Sequence, residues 1–408
     1  MQVIRDAKTK NLVLAASISA MFGGMSAPAL ADDLADTLYQ KGVLTEEEYN
    51  KLKETDSNAL VGDYDDAFKW KSKDGNFGIK LEGRVQFDYR SSDLPDSIDE
   101  FNIPRAYLGV KGDFYKKWSY ELTYNFAKDR AEYAYLNYKW SDALQARAGL
   151  FKFPYGFSQL TSSRFIDFMD RSFTEEFEPG KDEGIAIYGE PKKNEISYAL
   201  GYSNGGGGRK NVPDTTQKDI IARAAVNFAP MVKFDQGVLH LGVDWRDGKF
   251  AVGGTDFDRT ATGVEGVVAY RQFKLQSEYQ TINLSTDTAA NPDANVYYVD
   301  AMWLITGEQY VDSYSINGMK AIKPLKPLHS GGIGAWELGF QYAGLDSDQT
   351  NAGDANIKST TVGIKWIPET QIRVLLNWVQ NDFDNPITIN GESVDKENQI
   401  NARLQVYF

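Results

Sequence analysis

The sequence predicts an all-β fold: a transmembrane antiparallel β-barrel of about sixteen strands, with a short N-terminal helical segment. Three observations carry this. From Phe77 onward, apolar and polar residues alternate in short segments, the period of a strand whose two faces meet different media. The polar members are often charged, which suits water inside and lipid outside a closed sheet better than a soluble sandwich. No run of about 20 apolar residues is present for a spanning helix, whereas 23 Tyr and 8 Trp suit aromatic girdles at two lipid–water interfaces. The chain closes on Leu404-Gln405-Val406-Tyr407-Phe408, an alternating stretch with a terminal aromatic, expected to be the last strand.

Residues 1–31 read as a secretory signal peptide. Arg5, Lys8 and Lys10 supply the basic start, Leu12 to Phe22 the apolar stretch, and Ala29-Leu30-Ala31 the cleavage site. Its removal drops Arg5, Lys8, Lys10 and Asp6 and moves the net charge from −13 to −15. Residues 32–76 are expected to form a periplasmic helical arm and linker. Within them, 34–54 reads as two short helices broken at Gly42, with Thr45 and Glu48 as a capping box for the second. Leu34, Leu38, Tyr49 and Leu52 give a narrow apolar stripe, fitting a simple arm or a coiled-coil tether. A polar linker over about 55–76 follows, and 77–408 is the barrel domain.

The first barrel strand is the clearest. Ile79, Leu81, Val85, Phe87 and Tyr89 share one face; Lys80, Glu82, Arg84, Gln86, Asp88 and Arg90 share the other. Four more strands follow at 103–114, 118–127, 132–140 and 144–152, the second with Trp118, Tyr120, Leu122, Tyr124 and Phe126 facing lipid. The middle of the chain gives 184–190, 195–203, 219–229, 237–246, 260–271 and 273–281, with Leu239, Leu241, Val243 and Trp245 marking one outer face. The last five are 296–307, 334–343, 356–366, 371–380 and 398–408, and Gln309–Ile316 is a possible extra strand. An even number places both barrel ends on the periplasmic side. Turns on that side are mostly short, such as Tyr115-Lys116-Lys117, while the opposite connections are long and rich in Asp, Asn and Gly.

Two connections break this pattern. The 153–183 segment carries Phe153, Tyr155, Phe157, Phe165, Phe168, Phe173 and Phe177, too apolar for a solvated loop. It is expected to fold into the barrel and narrow it; packing on a neighbouring subunit is the other reading. The 308–333 segment carries Lys320, Lys323, Lys326 and His329, and reads either as a basic strip entering the lumen or as a solvated turn.

By the face assignment, the lumen-directed basic residues are Lys80, Arg84, Arg90, Arg105, Lys111, Lys139, Arg147, Arg223, Arg246, Arg271, Lys274, Lys365, Arg373 and Arg403. They outnumber the lumen-directed acids Glu82, Asp88, Asp113, Glu121, Asp244, Glu265, Glu278, Asp300 and Glu337. Rings of Arg and Lys in a confined pore attract anions. The 153–183 loop pulls the other way, holding seven acids, Asp167 and Glu178 among them, against Arg164, Arg171 and Lys181.

Other chemistries find little support. With no Cys there are no disulfides or thiolate sites, and the acidic balance disfavours nucleic acid. Only His240 and His329 are available for acid–base work, and His329-Ser330 lies in a turn with no strand to aim it. The acidic stretch 346–354 has its Gly at the wrong offset for a calcium loop. No enzyme activity, metal or cofactor is expected.

Several spaced stretches resemble the phosphate-selective porin O and P family over roughly residues 77–408. They are Ile103–Gly112 with Ala134–Tyr138, Gly149–Gly156 leading to Leu160–Ser163, Phe168–Ser172 with Pro179-Gly180, Trp303–Glu308, and Gly334–Tyr342. The resemblance implies a sixteen-stranded outer-membrane barrel, usually a homotrimer. Its hourglass pore would be narrowed by an inward loop and a long periplasmic turn. Phosphate-selective members line the pore with arginines and place a lysine in the constriction. Arg105 and Lys111 fall within matching motifs, and Lys152 and Arg171 flank or occupy the matching loop.

The reading is therefore a Gram-negative outer-membrane porin for passive diffusion of small hydrophilic solutes, leaning to anions such as phosphate. Arg84, Arg105, Lys111, Arg147, Arg223 and Arg246 are the candidate wall residues; Lys152, Arg164 and Arg171 are the constriction candidates. The alternatives are a cation-preferring or general porin and a structural or adhesive barrel. Expected partners are outer-membrane lipid and small ions.

Overall fold

The computed structural model describes residues 39–41, 45–47, 49–50, 60–64, 68–205, 218–252, 255–285, 293–348 and 355–408. The expected signal peptide, residues 1–31, lies outside them. Two compact units are present, one made by the N-terminal region to Ile79 with Phe114–Lys116, the other by the remainder.

In the N-terminal unit, residues 39–40, 46–47 and 49–50 are helical, and the amide of Tyr49 donates to the Thr45 carbonyl at 2.9 Å. Tyr39 and Tyr49 stack with centroids 4.3 Å apart, joining the two predicted helical stretches. The stretch read as a linker contains a hairpin: Leu60–Tyr64 pairs antiparallel with Phe68–Ser72. Its strands are only five residues each, too short for periodicity to stand out in the sequence.

The larger unit is a closed barrel. Its strands are β1 (Phe77–Ser92), β2 (Glu100–Phe114), β3 (Trp118–Asn125), β4 (Arg130–Ser141) and β5 (Leu144–Lys152). Next come β6 (Lys181–Lys192), β7 (Ile196–Ser203), β8 (Asp219–Asn227), β9 (Gly237–Val252), β10 (Thr255–Tyr270) and β11 (Phe273–Ser285). The ring is completed by β12 (Asp293–Leu304), β13 (Ala335–Asp348), β14 (Ala355–Glu369), β15 (Ile372–Ile389) and β16 (Glu392–Tyr407). Each strand pairs with the next, and β16 returns to β1 with Tyr407 opposite Arg84 and Gln399 opposite Ser92. Closure leaves no unpaired edge, the condition for a sheet in hydrocarbon. Sixteen strands match the expected number.

The face assignment follows the alternation. Leu122, Ile185, Leu200, Val243, Leu275 and Leu376 point outward and are about half exposed, as lipid-facing residues are in an isolated chain. Aromatic pairs mark both rims. At the short-turn end, Trp118 meets Tyr138 edge-on at 4.6 Å, while Phe273 stacks on Trp303 at 5.9 Å and Trp336 on Trp366 at 5.7 Å. At the long-loop end, Phe87 meets Phe101 at 5.5 Å and Tyr279 meets Tyr297 at 6.4 Å.

Several strands outrun their expected ends on the long-loop side: β9 and β10 reach Val252 and Thr255, and β15 and β16 reach Ile389 and Glu392. Beyond the membrane both faces meet water, so alternation fades while ladder hydrogen bonds continue. Gln309–Ile316 is not a strand; it holds a short helix, α3 (Tyr310–Ser313), inside the barrel. Arg271 does not face the lumen. It occupies the β10–β11 turn with φ +50° and donates to Gln236 Oε1 at 2.7 Å, because the two-residue turn ends the alternation one position earlier.

Candidate functional site

The 153–183 segment folds into the barrel, nucleated by two single-turn helices, α1 (Phe157–Leu160) and α2 (Thr174–Phe177). Its aromatic residues explain why: Phe153, Tyr155 and Phe157 are completely buried, and Phe168 and Met169 nearly so. Burying such side chains is worth about 1.5–3 kcal/mol each, and the interior of the barrel buries them here. Polar ties fix the position. The amides of Gly156 and Ser158 donate to Asp244 Oδ1 (3.1 Å) and Glu278 Oε1 (2.5 Å), Lys274 Nζ pairs with Asp167 (2.6 Å), and Met169 is held at its amide by Asn377 Oδ1 (2.8 Å). On the β1 side, Arg84 donates to Ser163 Oγ (2.8 Å) and Arg90 makes a two-pronged contact with Asp170 (2.7 and 2.9 Å).

The first half of the other long connection joins it. Tyr310, Tyr314, Ile316, Met319 and Ile322 are buried in one cluster with Phe157 and Phe168. The Met319 amide donates to Thr161 Oγ1 at 2.9 Å, so the two inward segments touch. The basic residues of this connection stay outside that cluster: Lys320, Lys323, Lys326 and His329 are exposed. His329 sits beside Glu369, Nδ1 to Oε2 2.7 Å.

The inserts divide the inner wall into two unlike halves. Against β8–β12 they pack tightly. Arg223 and Arg246, both expected to line the path, have side chains 1% and 3% exposed. Arg223 is committed to Glu265 (Nε 3.1 Å) and the Ile316 carbonyl (3.0 Å), Arg246 to Asp219 (Nε 2.7 Å) and the Phe177 carbonyl (3.0 Å). His240 bridges Tyr314 Oη (2.8 Å) and Glu265 (2.9 Å) in the same sealed region. Lining an aqueous route is incompatible with that burial.

Along β1–β6 the wall keeps its exposure. Arg105, Tyr107, Lys111, Tyr133, Tyr135, Arg147 and Tyr188 are all partly accessible. Arg105 donates to Gln86 Oε1 (2.8 Å) and Arg147 to Tyr188 Oη (2.8 Å). Lys111 faces Glu82 (3.0 Å) and Glu121 (3.5 Å). Arg84 is the exception, largely buried beneath Ser163 and the Tyr107 ring.

Of the three constriction candidates, Arg164 pairs with a wall acid, donating to Glu82 Oε2 at 3.0 Å. Lys152 and Arg171 brace the loop from within. Lys152 Nζ bonds the carbonyl of Gln159 (2.5 Å), and Arg171 bonds those of Ser158 (3.0 Å) and Thr161 (2.8 Å) plus Glu175 (2.9 Å). Lys181 and Arg130, both clasping the buried Glu132, were absent from the predicted wall. Lys181 falls in the segment read as a loop and Arg130 precedes the predicted strand at 132–140, where a register shift opposite Thr123 and Tyr124 turns both Glu132 and Tyr133 inward. Between the loop and β13–β16 lies a cavity of about 320 Å³ whose wall side is uncharged, including Gln341, Ser359, Thr361, Asn377 and Asn401.

A sequence profile for the family described as phosphate-selective porin O and P matches residues 79–252 and 245–408, the whole barrel. The chain belongs to that family. Porin O of Pseudomonas aeruginosa is 24% identical over 404 residues, covering 82% of this chain and 89% of that protein. Among solved structures, this porin resembles an anion-selective porin from Comamonas acidovorans (15% identity, TM-score 0.56, covering 81% of this chain and all of that one). It also resembles OmpT of Vibrio cholerae (12%, TM-score 0.54, 82% and 98%). These likenesses agree with the barrel fold. The protein is an outer-membrane porin of the Gram-negative type.

Proposed function

We propose that this porin passes small anions, phosphate among them, by passive diffusion along the β1–β6 wall. One observation carries the reading: in the ion pairs around Glu82, Glu121 and Glu132 on that wall, the cations meet water and these acids do not. Lys111, Arg130, Lys181 and Arg164 have side chains 37%, 33%, 22% and 21% exposed, against 10%, 8% and 3% for Glu82, Glu121 and Glu132. Each acid is withdrawn behind the cation it neutralises, so a passing ion meets donors first. Arg105, Lys111, Arg147 and Arg164 replace part of the anion's hydration, and the pairs behind them keep binding weak enough for release. The inward loop sets the size limit, and the acids sealed against β8–β12 lie away from the route.

Support for the anion preference also comes from the family's description and from the anion-selective structural neighbour. A homotrimeric assembly fits one solved OmpT structure described as a trimer form. The deciding measurement is the reversal potential of the purified porin in a planar bilayer across a KCl gradient. A value on the chloride side is expected; one on the potassium side would end this reading. It would favour instead a cation path past Asp170, Glu175 and Glu176, which face the 320 Å³ cavity.

A further inference from the structure

Three cations of the β1–β6 wall are mounted on aromatic rings. The Arg147 guanidinium lies 4.2 Å from the Tyr135 ring centroid, 5.0 Å from Tyr188 and 5.5 Å from Phe151. Arg84 lies 4.2 Å from Tyr107, while Lys181 Nζ stands 4.7 Å from Tyr133 and 5.5 Å from Tyr107. Four tyrosines on β2, β4 and β6 thus form one partly exposed strip with three cations held against it.

This mounting changes which anion the wall suits. A ring over a guanidinium excludes water from its flat faces but leaves the edge N–H groups free to donate to a partner in plane. Arg84 and Arg147 each keep an Nε that is buried without a partner among the described residues. Arg147 makes one hydrogen bond there, to Tyr188, and Arg84 one, to Ser163. Inorganic phosphate demands many donors converging on a compact, strongly hydrated charge. A carboxylate needs only one planar pair of N–H groups, and an aromatic body attached to it would lie along the tyrosine edges.

We propose that the Tyr107–Tyr133–Tyr135–Tyr188 strip is a binding site for aromatic carboxylates, with Arg147 as the principal carboxylate partner. The site rests on the anion-conducting reading above and narrows it: the solute held longest in the pore carries a flat apolar body as well as a negative charge.

The test uses the full-length porin in planar bilayers, with sodium benzoate, acetate and phosphate compared as blockers of the chloride current. Benzoate should block at about fivefold lower concentration than acetate, the factor expected from one or two ring contacts, and should outrank phosphate. Tyr107→Leu and Arg147→Lys, which respectively remove a ring and the planar group, should each bring benzoate close to acetate. Equal block by benzoate and acetate in the unaltered porin, or stronger block by phosphate, would overturn the proposal even if the variants fail to assemble. A cation-selective reversal potential would instead overturn the anion path itself, so the two failures are told apart.

Discussion

Arg403 and Asp88 face each other across the seam where the last barrel strand meets the first. They are register partners in the β16–β1 ladder, with Nε to Oδ1 and Nη2 to Oδ2 both 2.7 Å. The remaining nitrogen of Arg403 donates to the Met169 carbonyl at 2.6 Å, so one side chain fastens both the seam and the inward loop. Both side chains are almost wholly buried.

Removing one member of that pair leaves a buried charge matched only at longer range, Asp88 by Arg90 at 3.5 Å or Arg403 by Asp170 at 4.0 Å. Arg403→Leu or Asp88→Leu should each destabilise the folded barrel by roughly 3–5 kcal/mol, and the double replacement by less than either. Denaturant unfolding of the purified porin in detergent, followed by its gel-mobility shift, measures this. A double variant no better than the single ones would show that the Met169 contact dominates.

Gly149 on β5 has φ +124°, and a Cβ there would fall on the Ala134 carbonyl oxygen and 2.8 Å from Tyr135 Cα. The obstruction is backbone of the neighbouring strand, which cannot swing aside, and the conformation itself favours glycine. Gly149→Ala should therefore prevent barrel assembly, read as loss of the heat-modifiable band and accumulation of unfolded chain.

Glu82 is touched by Lys80 (2.6 Å), Lys111 (3.0 Å) and Arg164 (3.0 Å). Glu82→Gln removes one negative charge from behind three cations. At a separation of about 8 Å in water-like dielectric, one charge changes an ion's energy by about 0.5 kcal/mol. Because the anion gains and the cation loses that amount, the chloride-to-potassium permeability ratio should rise by about a factor of five, and the reversal potential would show no change if Glu82 does not reach the path.

Glu178, on the inward loop, is buried beside a second carboxylate. A Cβ on Gly156 would lie 2.6 Å from Glu178 Oε1 and 2.8 Å from Glu278 Oε2. Desolvation first, and the Glu278 charge second, hold the Glu178 carboxyl well above the ordinary carboxylate range. Released from the wall it would titrate near 4.5. The packed loop thus favours the protonated form, and its anchoring is greatest below that pH and weakens as pH rises towards the packed-state value. Current noise should increase with pH across that interval, and Glu178→Gln should flatten the dependence.

Alternation made the strands readable, because each barrel strand separates lipid from the interior residue by residue. Leu122, Val243 and Leu376 point outward and Arg84, Asp88 and Glu121 inward, as the period required. The aromatic content of 153–183 likewise announced a segment that must be buried. The β4 bulge was not legible: one extra residue reverses the faces after it, and no local signal marks it.

What the sequence determined by itself is the number of strands, the inward face of the regular strands and which loop leaves the surface. What only the tertiary structure decided is which inward residues meet water. Arg147 and Arg246 occupy equivalent places in their strand patterns, yet one is partly exposed on a tyrosine strip and the other is sealed against Asp219 and the Phe177 carbonyl. Strand periodicity is a property of neighbours in the chain. Exposure depends on where a loop many residues away comes to rest.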